Sequence, residues 1–278
     1  MKSFIFNFTP TGMIPTKEMS RHVPIIPSEI IDDTLEAVEI GVNMVHLHAR
    51  DLDTGKPTYK KDVYAEIIGG IRKHAKDLII CVSTSGRNWP EFEKRSEVLD
   101  LTGIYKPDFG SLTLSSLNFN KQASINSPDV IKSLAAKMLK NGIKPELEAF
   151  DLGMINYAKY LIAKDLLTPP YYFNLILGNI ACAQANMLSL GLMEKELPDH
   201  SIWSAGGVGN AQLKVNVMSL VSGGGIRIGL EDNIWFDENR TRLASNKDLL
   251  IRIRDIAEML GRKPLSHKEA RSILGLSK

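Results

Sequence analysis

Met44-Val45-His46-Leu47-His48-Ala49 sets an apolar run of strand length beside two imidazoles spaced two apart. In an extended chain, residues two apart share a face. His46 and His48 therefore point one way, and Leu47 and Ala49 the other. Such a strand suits the wall of a barrel, with helices packed outside and polar side chains gathered at the inner rim.

The pattern repeats along the chain. Candidate strands lie at Phe4–Thr9, Met44–Ala49, Leu78–Ser83, Phe109–Thr113, Lys144–Phe150, Tyr172–Leu177, Ser201–Ala205 and Ile226–Leu230. Helical periodicity follows them at about Ser28–Ile40, Asp62–Ala75, Glu91–Leu101, Pro128–Asn141, Met154–Lys164, Gln184–Leu190, Ala211–Ser222 and Lys247–Leu260. Eight β-then-α units in 278 residues predict an α/β chain of one domain, 1–278, folded as a (β/α)8 TIM barrel. A doubly wound open sheet is the alternative. Ser28 ahead of Glu29 reads as an N-cap, and Gly41, Gly142 and Gly191 as C-terminal caps. Ser266 with Glu269 three residues on reads as the capping box of a tail helix over Ser266–Lys278.

Composition narrows the classes of function. With 34 basic and 32 acidic side chains the net charge is +2, which leaves no electrostatic footprint for nucleic acid or an anionic membrane. No apolar run approaches the ~18–20 residues that span a bilayer, and Met1–Phe6 is too short for a signal segment. The two cysteines, Cys81 and Cys182, form no Cys-x-x-Cys pair. These features together predict a soluble cytoplasmic protein without disulfides.

Barrel active sites lie where strands end, and polar residues cluster there. His46 and His48 can serve one metal, because neutral imidazole is a common zinc ligand; the competing reading is two core histidines satisfied by neighbours. Near the last strand, Gly224-Gly225-Ile226-Arg227-Ile228-Gly229-Leu230-Glu231-Asp232-Asn233 puts Arg227, Gly229 and Glu231 on one parity. Glu231 would complete a set of two histidines and one carboxylate with a coordination position left open, and Gly229 would leave room for a substrate. That set suits zinc first, and also iron or manganese. An arginine inside a barrel demands an anion, so Arg227 points to a carboxylate-bearing ligand or to Asp232. Glu146 and Glu148 share a face, a costly arrangement unless paired or functional. Ser83, Ser85 and Gly86 at the end of the third strand, and Ser111 and Thr113 on the fourth, are candidate contacts at the rim. Gly206, Gly207 and Gly209, before a helix, are candidates to cradle a phosphate.

With these segments in view, the chain resembles the β-keto acid cleavage enzymes, the family of 3-keto-5-aminohexanoate cleavage enzyme. The resemblance rests on Thr11-Gly12 with Thr16-Lys17, His46-Leu47-His48-Ala49-Arg50-Asp51, Ser83-Thr84 with Gly86, and Leu117-Asn118-Phe119. It continues through Pro145-Glu146-Leu147-Glu148, Leu177-Gly178, Gly223-Gly224, Arg227-Ile228-Gly229-Leu230-Glu231-Asp232-Asn233 and Ala270-Arg271. It implies an enzyme with one zinc ion per chain, held by His46, His48 and Glu231. The enzyme would use acetyl-CoA as co-substrate to convert a β-keto acid into acetoacetate and a new acyl-CoA. Asp232 would be the general base, supported by Arg227 and Ser83, with Glu148 and Ser111 in the substrate site. A homotetramer is implied as well.

The sequence also departs from the family pattern. Ile14 stands where the aminohexanoate enzyme has an acidic residue facing the substrate ammonium. An apolar side chain cannot pair with a cation, so the expected substrate has an uncharged or apolar tail. Gly225 replaces a frequent His, Asn210 replaces the Arg that commonly ends the glycine turn, and Asn179-Ile180-Ala181-Cys182 replaces a more glycine-rich stretch. These differences keep a second reading open, another metal-assisted barrel aldolase or hydrolase with the same His-x-His site. A metal- or ligand-binding barrel without catalysis is a third, disfavoured by Arg227, Glu148 and Asp232 beside the ligands.

Overall fold

Eight apolar runs pair side by side, all parallel, and close on themselves. In the computed structural model, which describes residues 3–276, the barrel strands are β1 (Phe6–Phe8), β2 (Met44–Leu47), β3 (Ile79–Val82), β4 (Phe109–Thr113), β5 (Lys144–Ala149), β6 (Tyr171–Leu177), β7 (Ser201–Gly207) and β8 (Gly225–Ile228). Around them run α1 (Pro27–Ile40), α2 (Lys61–His74), α3 (Phe92–Ser96), α4 (Pro128–Asn141), α5 (Leu152–Ile162), α6 (Met187–Lys195), α7 (Ala211–Val221) and α8 (Asn246–Met259), followed by α9 (His267–Ile273). The ring closes with β8 beside β1 and β4 beside β5, so the barrel holds and the open sheet does not. No described helix is long and apolar enough to cross a membrane.

The alternation of residues along each strand builds two interiors. Outward residues such as Val45, Leu47, Ile80, Leu112, Leu147, Phe173 and Ile226 pack beneath the helices as one apolar layer. Inside, the N-terminal end is filled by Ile5, Met44, Ile79, Cys81, Phe109 and Tyr172, and α9 closes it with Ala270 and Leu274. Two residues further along the same strands the interior turns polar, with Asn7, His46, Glu146 and Asn174 fully buried or nearly so. The chemistry therefore sits on a packed apolar floor.

Several boundaries differ from expectation for physical reasons. The first helix starts at Pro27, whose fixed φ suits the first helical position, with Ile26 rather than Ser28 as the cap. Glu29 supplies the capping there by accepting from the Ile25 and Ile26 N–H groups at 2.8 and 3.4 Å. Gly41 and Gly142 are left-handed caps as expected, but Gly191 lies inside α6, which starts at Met187 behind an Asn186 cap and runs to Lys195. The segment expected as one helix over Glu91–Leu101 is the short α3 followed by a 3-10 turn at Glu97–Asp100. The Ser266–Glu269 capping box forms and α9 follows it; positions 277 and 278 of the expected tail helix, like positions 1 and 2 of the domain, lie outside the described residues. Finally, β8 stops at Ile228. A Cβ at Gly229 would fall 2.1 Å from the Thr9 carbonyl oxygen, so the glycine lets the chain cross β1 closely and leaves no room there for a substrate. Glu231 and Asp232 consequently project from a turn beyond the strand, not from strand parity.

Candidate active site

At the C-terminal rim of the barrel, His46 and His48 are 1% and 6% exposed and face each other, Nε2 to Nε2, at 3.3 Å. Glu231 Oε1 lies 3.3 Å from His48 Nε2. One ligand atom from each of the three residues falls within 4.8 Å of the others. Two nitrogens at ~2.0–2.1 Å around a tetrahedral ion stand about 3.3 Å apart, so the spacing fits a metal. Glu231 Oε2 is buried and has no hydrogen-bond partner, an acceptor left for a ligand atom. Gly12 makes the approach feasible: its φ is +66°, and a Cβ there would stand 2.5 Å from Glu231 Cγ.

The orientation of His46 comes from a residue the sequence had not assigned to it. Glu146 Oε2 sits 2.5 Å from His46 Nδ1. Accepting the Nδ1 proton leaves the Nε2 lone pair free for a metal. Glu146 is itself fixed by donation from Asn7 Nδ2 at 2.8 Å and Asn174 Nδ2 at 2.7 Å, with Cys81 Sγ at 3.3 Å. Burial alone would lower the His46 pKa, but the Glu146 and Glu231 carboxylates outweigh it and raise it to about 9. At His48 burial prevails and the pKa falls to about 4. The pull on His46 reports a negative field that a bound cation would also satisfy. Glu146→Gln is expected to weaken metal binding roughly 10- to 100-fold, read by competition with a chelating dye; an unchanged affinity would remove Glu146 from the site.

Arg227 ties the remaining carboxylates together. It is 2% exposed. Its Nε donates to Asp232 Oδ2 at 3.0 Å and its Nη2 to Glu231 Oε1 at 2.8 Å, while Nη1 stands 3.6 Å from Glu148 Oε1. Burial raises the Asp232 and Glu148 pKa values against the opposing pull of Arg227. For Glu231, burial pushes the same way, but His48 and Arg227 overcome it and hold the carboxyl well below the usual range. Thr113 Oγ1 donates to Glu148 Oε2 at 2.7 Å.

A cavity of about 620 Å³ opens above these groups. His46, His48, Ser83, Ser85, Thr113, Glu148, Arg227, Glu231 and Asp232 line it, as do Met13 and Ile14. Two expected contacts do not reach it. Ser111 is turned into the wall, where its Oγ accepts the Thr84 N–H at 3.0 Å. Gly86 is pressed against the next loop, where a Cβ would fall 2.2 Å from the Ile125 oxygen. The glycine turn also differs from a phosphate cradle. Gly206 and Gly207 belong to β7, packed on Arg227 and Ala211. Gly209 lines the cavity, but its N–H donates to the Asp232 carbonyl at 2.7 Å. The amides of Val208, Ala211 and Gln212 are likewise engaged within the protein. Sequence reasoning missed Arg87 and Arg240, which also line the cavity. Arg240 Nε donates to Asn210 Oδ1 at 3.1 Å, which brings a guanidinium beside the position where a different side chain was noted. No periodicity marks either residue, because both lie on loops.

Comparison with known proteins bears on the family of the chain. The family profile described as beta-keto acid cleavage enzyme matches residues 3–276. A 3-keto-5-aminohexanoate cleavage enzyme of Fusobacterium nucleatum is 32% identical over 279 residues, covering 100% of both chains. A 3-oxoadipate:acetyl-CoA acetyltransferase of Cupriavidus necator is 36% identical over 270 residues, covering 96% of this chain and 92% of its own. Among solved structures, apo ObcA superposes with a TM-score of 0.80 at 20% identity, over 93% of this chain and 66% of that one; this likeness concerns the fold alone.

Proposed function

Because this chain belongs to the beta-keto acid cleavage enzyme family, we propose that it converts a β-keto acid and acetyl-CoA into acetoacetate and a new acyl-CoA. The observation that carries the reading is the meeting of His46, His48 and Glu231 at one point, with Asp232 and Arg227 beside them on the wall of the same cavity. His46, His48 and Glu231 would hold one zinc ion per chain. Such an ion, when bound, supplies a Lewis acid beside the ketone and carboxylate oxygens of the substrate.

The chain's own groups account for the proton and for charge placement. An Asp232 carboxylate oxygen takes the proton from the carbon between ketone and carboxylate. Arg227 orients Asp232 through its Nε and favours the ionised form, and Ser83, at the cavity wall, offers a hydroxyl to the developing oxyanion. Glu148, fixed by Thr113, borders the substrate. The resulting enolate carbon attacks the acetyl thioester carbonyl, and CoA leaves as thiolate. The thiolate then attacks the original keto carbon, the bond to the α-carbon breaks, Asp232 returns its proton to that carbon, and acetoacetate departs with the acyl group left on CoA. Atoms balance without any oxidant or reductant. Ser111, held in the wall, supports the Thr84 backbone rather than touching substrate.

The tail end of the substrate is read from Ile14 and Met13, which line the cavity with no carboxylate at that position. An ammonium there would gain no carboxylate partner from these two side chains. Aliphatic β-keto acids are expected to show kcat/KM at least ~10-fold above ammonium-substituted ones, scored by acetoacetate release from a substrate panel with and without acetyl-CoA. Release that needs no acetyl-CoA would favour the aldolase or hydrolase reading instead. The proposal includes a cytoplasmic homotetramer, checked by sedimentation.

A further inference from the structure

Arg87 sits in this cavity without an acceptor for its side chain. It follows β3, and its backbone N–H donates to Ser85 Oγ at 3.3 Å. Its guanidinium carbon lies 3.8 Å from the centroid of the Phe119 ring, and Phe119 in turn meets Phe150 edge-on at 5.9 Å and 88°. Both Arg87 and Phe119 line the cavity. Among the described residues the Arg87 side chain makes no ion pair and no hydrogen bond, and its Nε is sealed from solvent without an acceptor.

A buried donor without an acceptor needs an explanation. The nearby acids do not provide one. Burial lowers the Arg87 pKa while Glu231, Glu148 and Asp232 act on it only through space, and all three are gathered by Arg227. The Phe119 ring holds one face of the guanidinium, and its two Nη nitrogens are not among the sealed atoms. A fixed planar fork with free N–H groups matches an oxyanion that accepts two parallel hydrogen bonds.

We propose that Arg87 is the anion receptor of the cavity, taking an oxyanion of the ligand on its open edge. This rests on the cleavage reading of the same cavity, which offers two sources of that chemistry: the carboxylate of the β-keto acid and the phosphates of CoA. The first is compatible with an apolar tail, because every β-keto acid keeps its carboxylate.

The test is calorimetric titration of the metal-loaded full chain with acetoacetate, CoA and pantetheine, comparing wild type, Arg87→Met and Arg87→Lys. Losing a charged, bidentate partner should weaken one anionic ligand roughly 10- to 100-fold, with Arg87→Lys in between because it keeps the charge but not the fork. A loss confined to acetoacetate assigns the carboxylate. A loss confined to CoA, with pantetheine unaffected, assigns a phosphate. If wild type binds acetoacetate or CoA and Arg87→Met binds them equally well, the inference falls while the cleavage reading stands. If wild type binds neither, both fall. Equal weakening of all three probes marks a general loss of site structure and also overturns it.

Discussion

Asp232→Asn is expected to lower kcat by roughly 10²- to 10⁴-fold, the range of a lost general base, with the same metal content as the wild type. The substitution keeps the volume and leaves an amide able to touch Arg227, so the ligand set beside it should survive. Asp232 Oδ2 accepts from Arg227 Nε at 3.0 Å, and Thr9 Oγ1 stands 3.5 Å from it. Oδ1 also lies 3.4 Å from Arg227 Nη2, so the carboxylate is oriented by one guanidinium, and it lines the cavity. Elemental analysis and steady-state kinetics on the same preparation decide the matter. Retained turnover in a metal-replete variant would take the base role away from Asp232.

His46→Ala should remove both metal and activity. It deletes one of three proposed ligands and takes from Glu146 Oε2 its partner at 2.5 Å, leaving that oxygen only Cys81 Sγ at 3.3 Å inside a fully buried layer. Loss of an outer partner costs roughly 10- to 100-fold in affinity, so loss of the ligand itself should exceed that. The measurement is metal retained after dialysis, alongside turnover. Because a buried carboxylate without the imidazole that faces it also costs stability, the double change His46→Ala with Glu146→Gln separates the effects: it should regain thermal stability without regaining metal. Full metal occupancy in His46→Ala would overturn the ligand assignment.

Much of this was readable from alternation. His46 on β2 with His48 just past its end, Thr113 on β4 and Arg227 on β8 follow from a period of two inside a barrel, and the family resemblance named the two histidines and the arginine as well. What alternation does not encode is depth. Glu146 and Glu148 share a face, yet one step along β5 separates a carboxylate that holds His46 from one that borders the cavity beside Arg227. Ser111 likewise has the right parity but meets the Thr84 backbone rather than open space. Loop residues carry no periodicity at all. Glu231 reaches the histidines from a turn that only the close passage of Gly12 and Gly229 permits, and Arg87 depends on its stack against Phe119, far along the chain, which no local pattern announces. The glycine turn misled because glycines that spare room for a strand crossing look the same in sequence as glycines that bare amides to a phosphate.

The floor that α9 lays beneath the polar layer has a further consequence. His46, Glu146 and Arg227 grow from strands braced on that floor, whereas Met13, Ile14 and Phe119, in the hairpin of Leu117–Asn118 and Ala123–Ser124, lie on connections outside the cluster that forms it. Loops vary more freely than the scaffold that carries them. Substrate preference can therefore drift, or be grafted from one relative onto another, while the reaction stays the same.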